Sequence, residues 1–371
     1  MKNSSQESLN SESSRIAALD NLRAFAIIWV ILLHCEQGCL PKDSNSTVQN
    51  FVRAGGFGVD LFFVLSGFLI SSILIKGHLK SGKIQIAKFW YRRWMRTLPA
   101  YYVTLFVVML GDAFYESKVP WSNRWSYFLF LQTSVNDFGD VRFAWSWSLC
   151  VEELFYFALP ITTSLSLLFT FNIKLAIRCI SLAAIGISFV GRALSESSGG
   201  HLPGYAVPYC RLDGLACGMV ISTLPKFQNK FWSFAMILTA LVILGASVWA
   251  VTPTGFKIHQ YFPVSIAFSL ILYSVMLNDS WRNIRIPGAY SVAAISYSLY
   301  LIHPIVIVLL LKLTPNVDWM FRLLFLVILL ALLATALRCF VELPFLFYRD
   351  KKSIGEIGHK AIVSDQIPVK L

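Results

Sequence analysis

Charge is scarce in this chain, and acidic charge is scarcer still. Of 371 residues only 14% are Asp, Glu, Lys or Arg, with 20 acids against 32 bases. A soluble domain of ordinary composition carries about 25% charged residues, and no polar stretch here is long enough to hold an independent core. Spacings that bind metals are missing too. Six histidines and seven cysteines contain no HExxH and no CxxC, so no metal is implied. The cysteines sit mostly in apolar segments, where core packing is the expected role; Cys35 and Cys39 could approach one another near the outer surface. Strict apolar/polar alternation is absent from runs such as 232–251 and 319–341, which excludes a β-barrel. The first seventeen residues hold six serines and no apolar core. They are expected to form a disordered cytosolic tail without a cleavable signal, the first span serving as insertion signal.

Apolar residues are abundant. They make up 56% of the chain, mean hydropathy is +0.62, and they come in runs near the roughly 20 residues a bilayer-crossing helix needs. The fold class expected is all-α, a polytopic membrane helix bundle with about ten transmembrane helices. Spans are placed near 22–38, 57–75, 98–115, 146–169, 175–195, 207–224, 232–251, 259–277, 290–311 and 319–341. The expected organisation is a tail over 1–17, a membrane domain over 18–345 and a cytosolic tail over 346–371. Tyr127 to Leu131 is too short to span and is read as an interfacial or re-entrant piece.

The net charge of +12 is mostly topology and does not point to nucleic acid. From Lys76 to Arg96 there are seven cations and no acid, which places that loop in the cytoplasm by the positive-inside rule. Lys174 and Arg178, Lys226 and Lys230, Arg282 and Arg285, and Arg349, Lys351 and Lys352 then fall on the same side. Both termini are expected to be cytoplasmic.

Ionisable residues nevertheless lie inside the apolar segments. Arg23 and His34 are eleven steps apart on the first, almost three whole turns, so they share one helix face. Such residues cost roughly 3 kcal/mol or more at membrane depth unless they face a polar interior, which makes them functional candidates. A neutral imidazole suits the work of a general base toward a hydroxyl, so His34 is read as that base, the alternative being a histidine merely hydrogen-bonded within the bundle. Arg23 either holds a phosphate or thioester, or snorkels to headgroups. Asp60, Glu152 and Glu153 fall toward the same side as His34, and any of them could orient its ring. Glu152 and Glu153 point about 100° apart, so only one can face a given ligand. Trp145 and Trp147 are interfacial anchors or a sugar-stacking platform.

Elsewhere, Arg92, Arg93 and Arg96 stand among Trp90, Tyr91 and Trp94, suited either to the phosphates and adenine of a nucleotide or to anionic lipid. Arg211 and Asp213 could pair with each other or contact substrate, and Gly214 and Gly218 permit close backbone approach. Ser296 and His303 share a face, with Tyr300 beside it. His303 precedes Pro304, so it either binds an acceptor or satisfies backbone freed by the proline. Glu342 is given a structural role.

The segments LDNLRAFAIIWVILLH (19–34), GGFGVDLFFVLSGFLIS (55–71), FWYRRWMRTLPAYY (89–102), WSLCVEELFY (147–156), RLDGLACG (211–218), SYSLYLIHP (296–304) and VELPF (341–345) resemble, in order, the signatures of the acyltransferase 3 family of membrane acyltransferases. Departures are Asn21 for a usual glycine, Cys150 for a frequent serine and Leu154 for a common glutamine. The last removes an amide and makes acceptor identity less transferable than reaction type. The resemblance implies a bacterial-type inner-membrane O-acyltransferase that moves an acyl group, commonly acetyl from acetyl-CoA, to a hydroxyl of a cell-surface or lipid-linked carbohydrate. An added extracytoplasmic hydrolase-like domain, found in some relatives, is not expected in this chain. The resemblance assigns Arg23 and His34 to the catalytic core and favours coenzyme A as partner of the Arg93-x-x-Arg96 pair. Acyl-CoA, a carbohydrate or glycolipid acceptor and membrane lipid are the expected partners, with no nucleic acid.

Arg23 and His34 lie about 16 Å apart along a helix. Donor phosphates on the basic loop and an acceptor at His34 therefore require an internal cavity joining the two, lined by Asp60 and one of the paired glutamates. The competing class is a transporter that uses the same charges as a solute or proton path. No half-to-half repeat of the charged motifs supports it.

Overall fold

The computed structural model describes residues 16–36, 38–39, 46–114, 123–135, 143–197, 206–225, 228–251 and 258–351. Every regular element among them is helical. In chain order the principal helices are α1 (Ala17–Cys35), α2 (Ser46–Arg53), α3 (Phe57–Ser81), α4 (Ile86–Phe114), α5 (Trp147–Ser166), α6 (Ile173–Ser197), α7 (Leu212–Thr223), α8 (Lys230–Trp249), α9 (Tyr261–Leu277), α10 (Ala289–Leu313) and α11 (Trp319–Leu337). Residues 1–15 and 352–371, which hold most of the expected tails, lie outside the described residues. The helix after α11 runs on to residue 351, so the boundary placed at 345/346 falls inside an element.

Each of the ten expected spans coincides with a helix, but among the described residues six helical stretches are both long and apolar enough to cross a membrane. These are Ala17–Cys35, Thr47–Ser81, Ile173–Ser195, Lys230–Trp249, Ala289–Leu313 and Trp319–Lys351. The remainder depart for identifiable reasons. Helix α7, at 12 residues, extends only about 18 Å, because Pro208 starts a separate 3₁₀ turn at Pro208–Cys210 just before it. Helix α9 has 17 residues. Helix α4 carries Lys88, Arg92, Arg93 and Arg96 in its first half, and α5 carries both Glu152 and Glu153.

Burial separates an inner layer from an outer one. The flanks of α8 and α11 expose Phe234, Leu238, Leu241, Phe321, Phe325 and Leu332, as helices that face hydrocarbon do. Helices α1, α3, α7 and α10 are buried much more fully, and among these four the packings of α7 against α3 and of α10 against α1 are the most extensive. Lipid offers no hydrophobic force between helices, so close approach of backbones must hold them. Glycine supplies it here. A Cβ on Gly67 would lie 1.9 Å from the Leu215 carbonyl oxygen, and one on Gly218 would lie 2.0 Å from that of Val64. The two helices thus meet backbone to backbone at reciprocal glycines.

The piece expected to be re-entrant folds as a short helix, Trp125–Phe128, with Tyr127 buried under α4. The Tyr101 hydroxyl donates to the Tyr127 carbonyl at 2.9 Å, and Phe130, at φ +57°, packs 4.5 Å from the Tyr101 ring.

Candidate active site

Helices α1, α3, α4, α5 and α10 surround an internal cavity of about 110 Å³, lined by Arg23, Ser66, Arg93, Arg96, Glu152 and Tyr300 among others. The basic stretch Lys76 to Arg96 is not one loop. It is two helices joined by residues 82–85, so Arg93 and Arg96, three apart on α4, share a face that turns into the bundle.

Arg93 donates through Nη2 to the Tyr156 hydroxyl at 2.6 Å, and its guanidinium sits 4.0 Å from the centre of the Tyr156 ring. Arg96 lines the cavity within reach of the charges of Arg23, Arg93 and Glu342. It forms no ion pair with a described residue. The cavity wall thus carries three arginines and one carboxylate, with Asp20 4.0 Å from Arg23, Glu153 beside Arg93 and Glu342 near Arg96 set behind it, and guanidinium groups facing a cavity suit an anion. Arg92 does not join it: its side chain is exposed and pairs with Asp350 at 3.7 Å. The neighbouring aromatics are also committed, since Trp90 stacks on Trp94 at 5.6 Å and on Phe157 at 4.9 Å.

The paired glutamates part as helix geometry requires. Glu152 faces the cavity and accepts from Ser66 Oγ at 2.7 Å. Glu153 is buried beside Arg93 and does not line the cavity, and its Oε2 has no partner. On α5, Ser148, Glu152 and Tyr156 recur every fourth residue and all face the cavity or its arginines. That spacing is readable in the sequence, yet only Glu152 of the three was singled out from it. The Ser148 and Tyr300 hydroxyls are 2.5 Å apart, and Tyr300 also donates to the Trp145 carbonyl at 2.6 Å.

None of the three acids expected to orient His34 stands beside it. Asp60 forms an ion pair with Arg211 at 2.7 Å, both essentially inaccessible. Asp213 pairs with Arg192 of α6, so the expected Arg211–Asp213 pair is replaced by two crossed pairs. The physical reason is that α3 and α6 flank α7 and bring opposite charges closer than two neighbours on one helix can. Arg192, an arginine within an apolar segment, carried the same signal as Arg23 and was missed. Arg211 also lies 3.6 Å from the Tyr261 ring centre and 5.4 Å from that of Trp147. Trp147 and Trp145 are thus both engaged within the bundle, the indole of Trp145 donating to the Leu301 carbonyl at 3.1 Å.

The neighbour of His34 is His303. Their rings meet edge to face with centroids 4.8 Å apart. His303 is fully buried and lies 5.7 Å from the Tyr300 ring. Its Nδ1 donates to the carbonyls of Tyr300 at 2.8 Å and Leu299 at 3.1 Å. Pro304 has no N–H to give the Tyr300 carbonyl four residues back, so His303 fills that vacancy. The expected cavity from the arginines to His34 is drawn only in part. It reaches Tyr300, while His34, His303 and Asp60 are not among its walls. Glu342 accepts from Ser298 and lies 3.6 Å from Arg338, held by a π-helical turn over Arg338–Glu342.

Comparison with known proteins bears on this site. The profile of a family described as an acyltransferase domain matches residues 16–340. The chain is similar to O-acetyltransferase OatA of Staphylococcus aureus (strain NCTC 8325 / PS 47), with 28% identity over 323 residues, covering 79% of this chain and 51% of that protein. It is also similar to the putative O-acetyltransferase SACOL0978 of Staphylococcus aureus (strain COL), with 27% identity over 324 residues, 78% of this chain and 50% of that protein. The chain thus spans about half the length of the curated relatives it matches. No solved structure matches it.

Proposed function

Because the chain belongs to the acyltransferase 3 family, we propose that it is a membrane-embedded O-acyltransferase that moves acetyl from acetyl-CoA to a hydroxyl of a cell-surface or lipid-linked carbohydrate. The observation that carries this reading is the convergence of Arg23, Arg93 and Arg96 with Glu152 on one cavity. Coenzyme A brings a pyrophosphate and a 3′-phosphate, and arginine forks bind such groups bidentately where lysine does not.

The chemistry assigned to the chain is a single displacement. His34 takes the proton of the acceptor hydroxyl, the oxygen attacks the acyl carbon, the C–S bond breaks, and the departing thiolate recovers the proton from His34. The Nδ1 of His34 is bonded to the Val30 carbonyl at 2.9 Å. A carbonyl only accepts, so Nδ1 carries the hydrogen and Nε2 offers the lone pair a base needs. Tyr300 lines the arginine cavity and lies 5.7 Å from the His303 ring, so the acyl-pantetheine arm passes it on the way to His34. In this reading the donor arrives from the side bearing Lys76 to Lys88, both termini lie on that cytoplasmic side of a bacterial inner membrane, and the acceptor comes from the opposite face or from a lipid-linked glycan.

The test is acetyl transfer from radiolabelled acetyl-CoA by purified protein in vesicles supplied with glycan extract. Transfer that depends on His34 is expected; no transfer to any extract, with solute uptake by the same vesicles, would replace the reading with a transporter. Mass spectrometry of surface glycans from cells with and without the gene then identifies the acceptor.

A further inference from the structure

His303 is the buried titratable group that the proposed reaction leaves unused. It is 0% exposed, it does not line the cavity, and its Nε2 has no hydrogen-bond partner. Its Nδ1 is held by two carbonyls, so, as in His34, the hydrogen of the neutral ring is on Nδ1. Two neutral imidazoles in edge-to-face contact at 4.8 Å thus each keep a bare Nε2. Neither can donate from that nitrogen until a proton arrives. A fully buried polar nitrogen without a partner carries a desolvation cost and is rare in folded proteins. Packing alone would have been served as well by Leu or Phe.

We propose that His303 is a positioning residue for His34. It sets the orientation of the His34 ring and stabilises the imidazolium that forms there when the acceptor hydroxyl gives up its proton. This rests on the reaction proposed above but adds a residue that touches neither donor nor acceptor. It also replaces the expectation that His303 binds the acceptor, which its complete burial opposes. The proton balance stays as written: one proton moves from the hydroxyl to His34 and on to the thiolate, and His303 neither gains nor loses one over the cycle. Three features hold the arrangement. The bonds to Leu299 and Tyr300 fix the His303 ring, Pro304 creates the carbonyl vacancy that His303 fills, and the Tyr300 hydroxyl is tied to Ser148 and to the Trp145 carbonyl.

Substitution at 303 separates this from a purely structural role. His303→Asn keeps an amide donor near the position of Nδ1, and so can cap the Tyr300 carbonyl, but has nothing at Nε2. His303→Gln reaches the position of Nε2. If the proposal holds, His303→Asn lowers kcat at least tenfold with KM for acetyl-CoA within about twofold, and His303→Gln recovers part of the loss. In a His34→Ala background, His303→Asn costs nothing further, since residues acting as one unit are non-additive. Wild-type kcat in His303→Asn would overturn the proposal and leave His303 a backbone cap. Should His303→Asn fail to fold, His303→Ala decides: reduced kcat at unchanged donor KM, with higher kcat in His303→Gln, supports the role, and wild-type kcat in His303→Ala refutes it.

A second readout does not depend on acyl transfer. Diethylpyrocarbonate modifies neutral imidazole, and peptide mass spectrometry reads its reaction at the half-buried His34 apart from that at the exposed His259. A severalfold change in the rate of His34 modification between wild type and His303→Gln supports the pairing even if acetyl-CoA proves not to be the donor. Identical rates sink it whatever the donor is.

Discussion

At the scale of single residues, the decisive contrast is between neighbours with different surroundings. Glu152 faces the cavity and takes a hydrogen bond from Ser66, whereas Glu153 is turned away behind Arg93. Glu152→Gln, which removes a carboxylate from the cavity wall, is therefore expected to lower kcat/KM for acetyl-CoA about tenfold, the scale of one lost charge-assisted contact, and Glu153→Gln by much less. Steady-state kinetics of the two purified variants checks this, and equal losses would contradict the placement. Ser66→Ala should fall between them, since it frees the Glu152 carboxylate without removing it. Lysine at 93 or 96 should restore donor affinity only in part, because a point charge cannot reproduce a bidentate fork; full restoration would point to lipid headgroups as the partner. Which residues gather at the cavity was largely legible in the sequence: Arg23, Arg93, Arg96, Glu152 and Tyr300 are all candidates there, and all line it. What each one touches was not. Asp60 pairs with Arg211 and not with His34 because partners across helices are set by tertiary packing, which one helix's periodicity does not encode. Arg92 was grouped with Arg93 by adjacency, although a step of 100° sends it outward to Asp350.

At the scale of elements, α3 and α7 are joined twice over. Their reciprocal glycine contacts bring the backbones together, and the buried Asp60–Arg211 pair links the same two helices. A methyl group at Gly218 has no room against the Val64 carbonyl, so Gly218→Ala should cost at least the 1–3 kcal/mol typical of overpacking and lower the melting temperature of detergent-solubilised protein. The charged pair makes a sharper forecast. Arg211→Gln strands the Asp60 carboxylate at a cost of about 3–5 kcal/mol, while Arg211→Gln with Asp60→Asn should regain most of it. A double variant no more stable than the single one would show that Arg211 is held by something other than Asp60. The close approach at Gly218 was readable from the small residues of RLDGLACG. The true length of α7 was harder to see, because an apolar run of 207–224 reads as one span until the 3₁₀ turn at Pro208–Cys210 cuts it.

At the scale of the whole molecule, the class was legible from composition. Scarce charge and long apolar runs gave an all-helical membrane protein, and the described residues hold six helices long and apolar enough to cross a membrane. Hydropathy reads ten spans where six meet the requirement, since α4 and α5 carry charges within their apolar runs and α7 and α9 are short. The charged residues of α4 and α5 line the cavity, where a lipid-facing helix could not readily carry them. In the proposed reaction the site has a donor end at Arg93 and Arg96 and a proton-transfer end at His34. Measuring acetyl-CoA binding and acetyl transfer on the same three purified proteins tests that division most directly. Binding within about twofold of wild type but no transfer is predicted for His34→Ala, and at least tenfold weaker binding for Arg93→Gln/Arg96→Gln. Undiminished acetyl-CoA binding by the arginine variant, or loss of binding in His34→Ala, would contradict it.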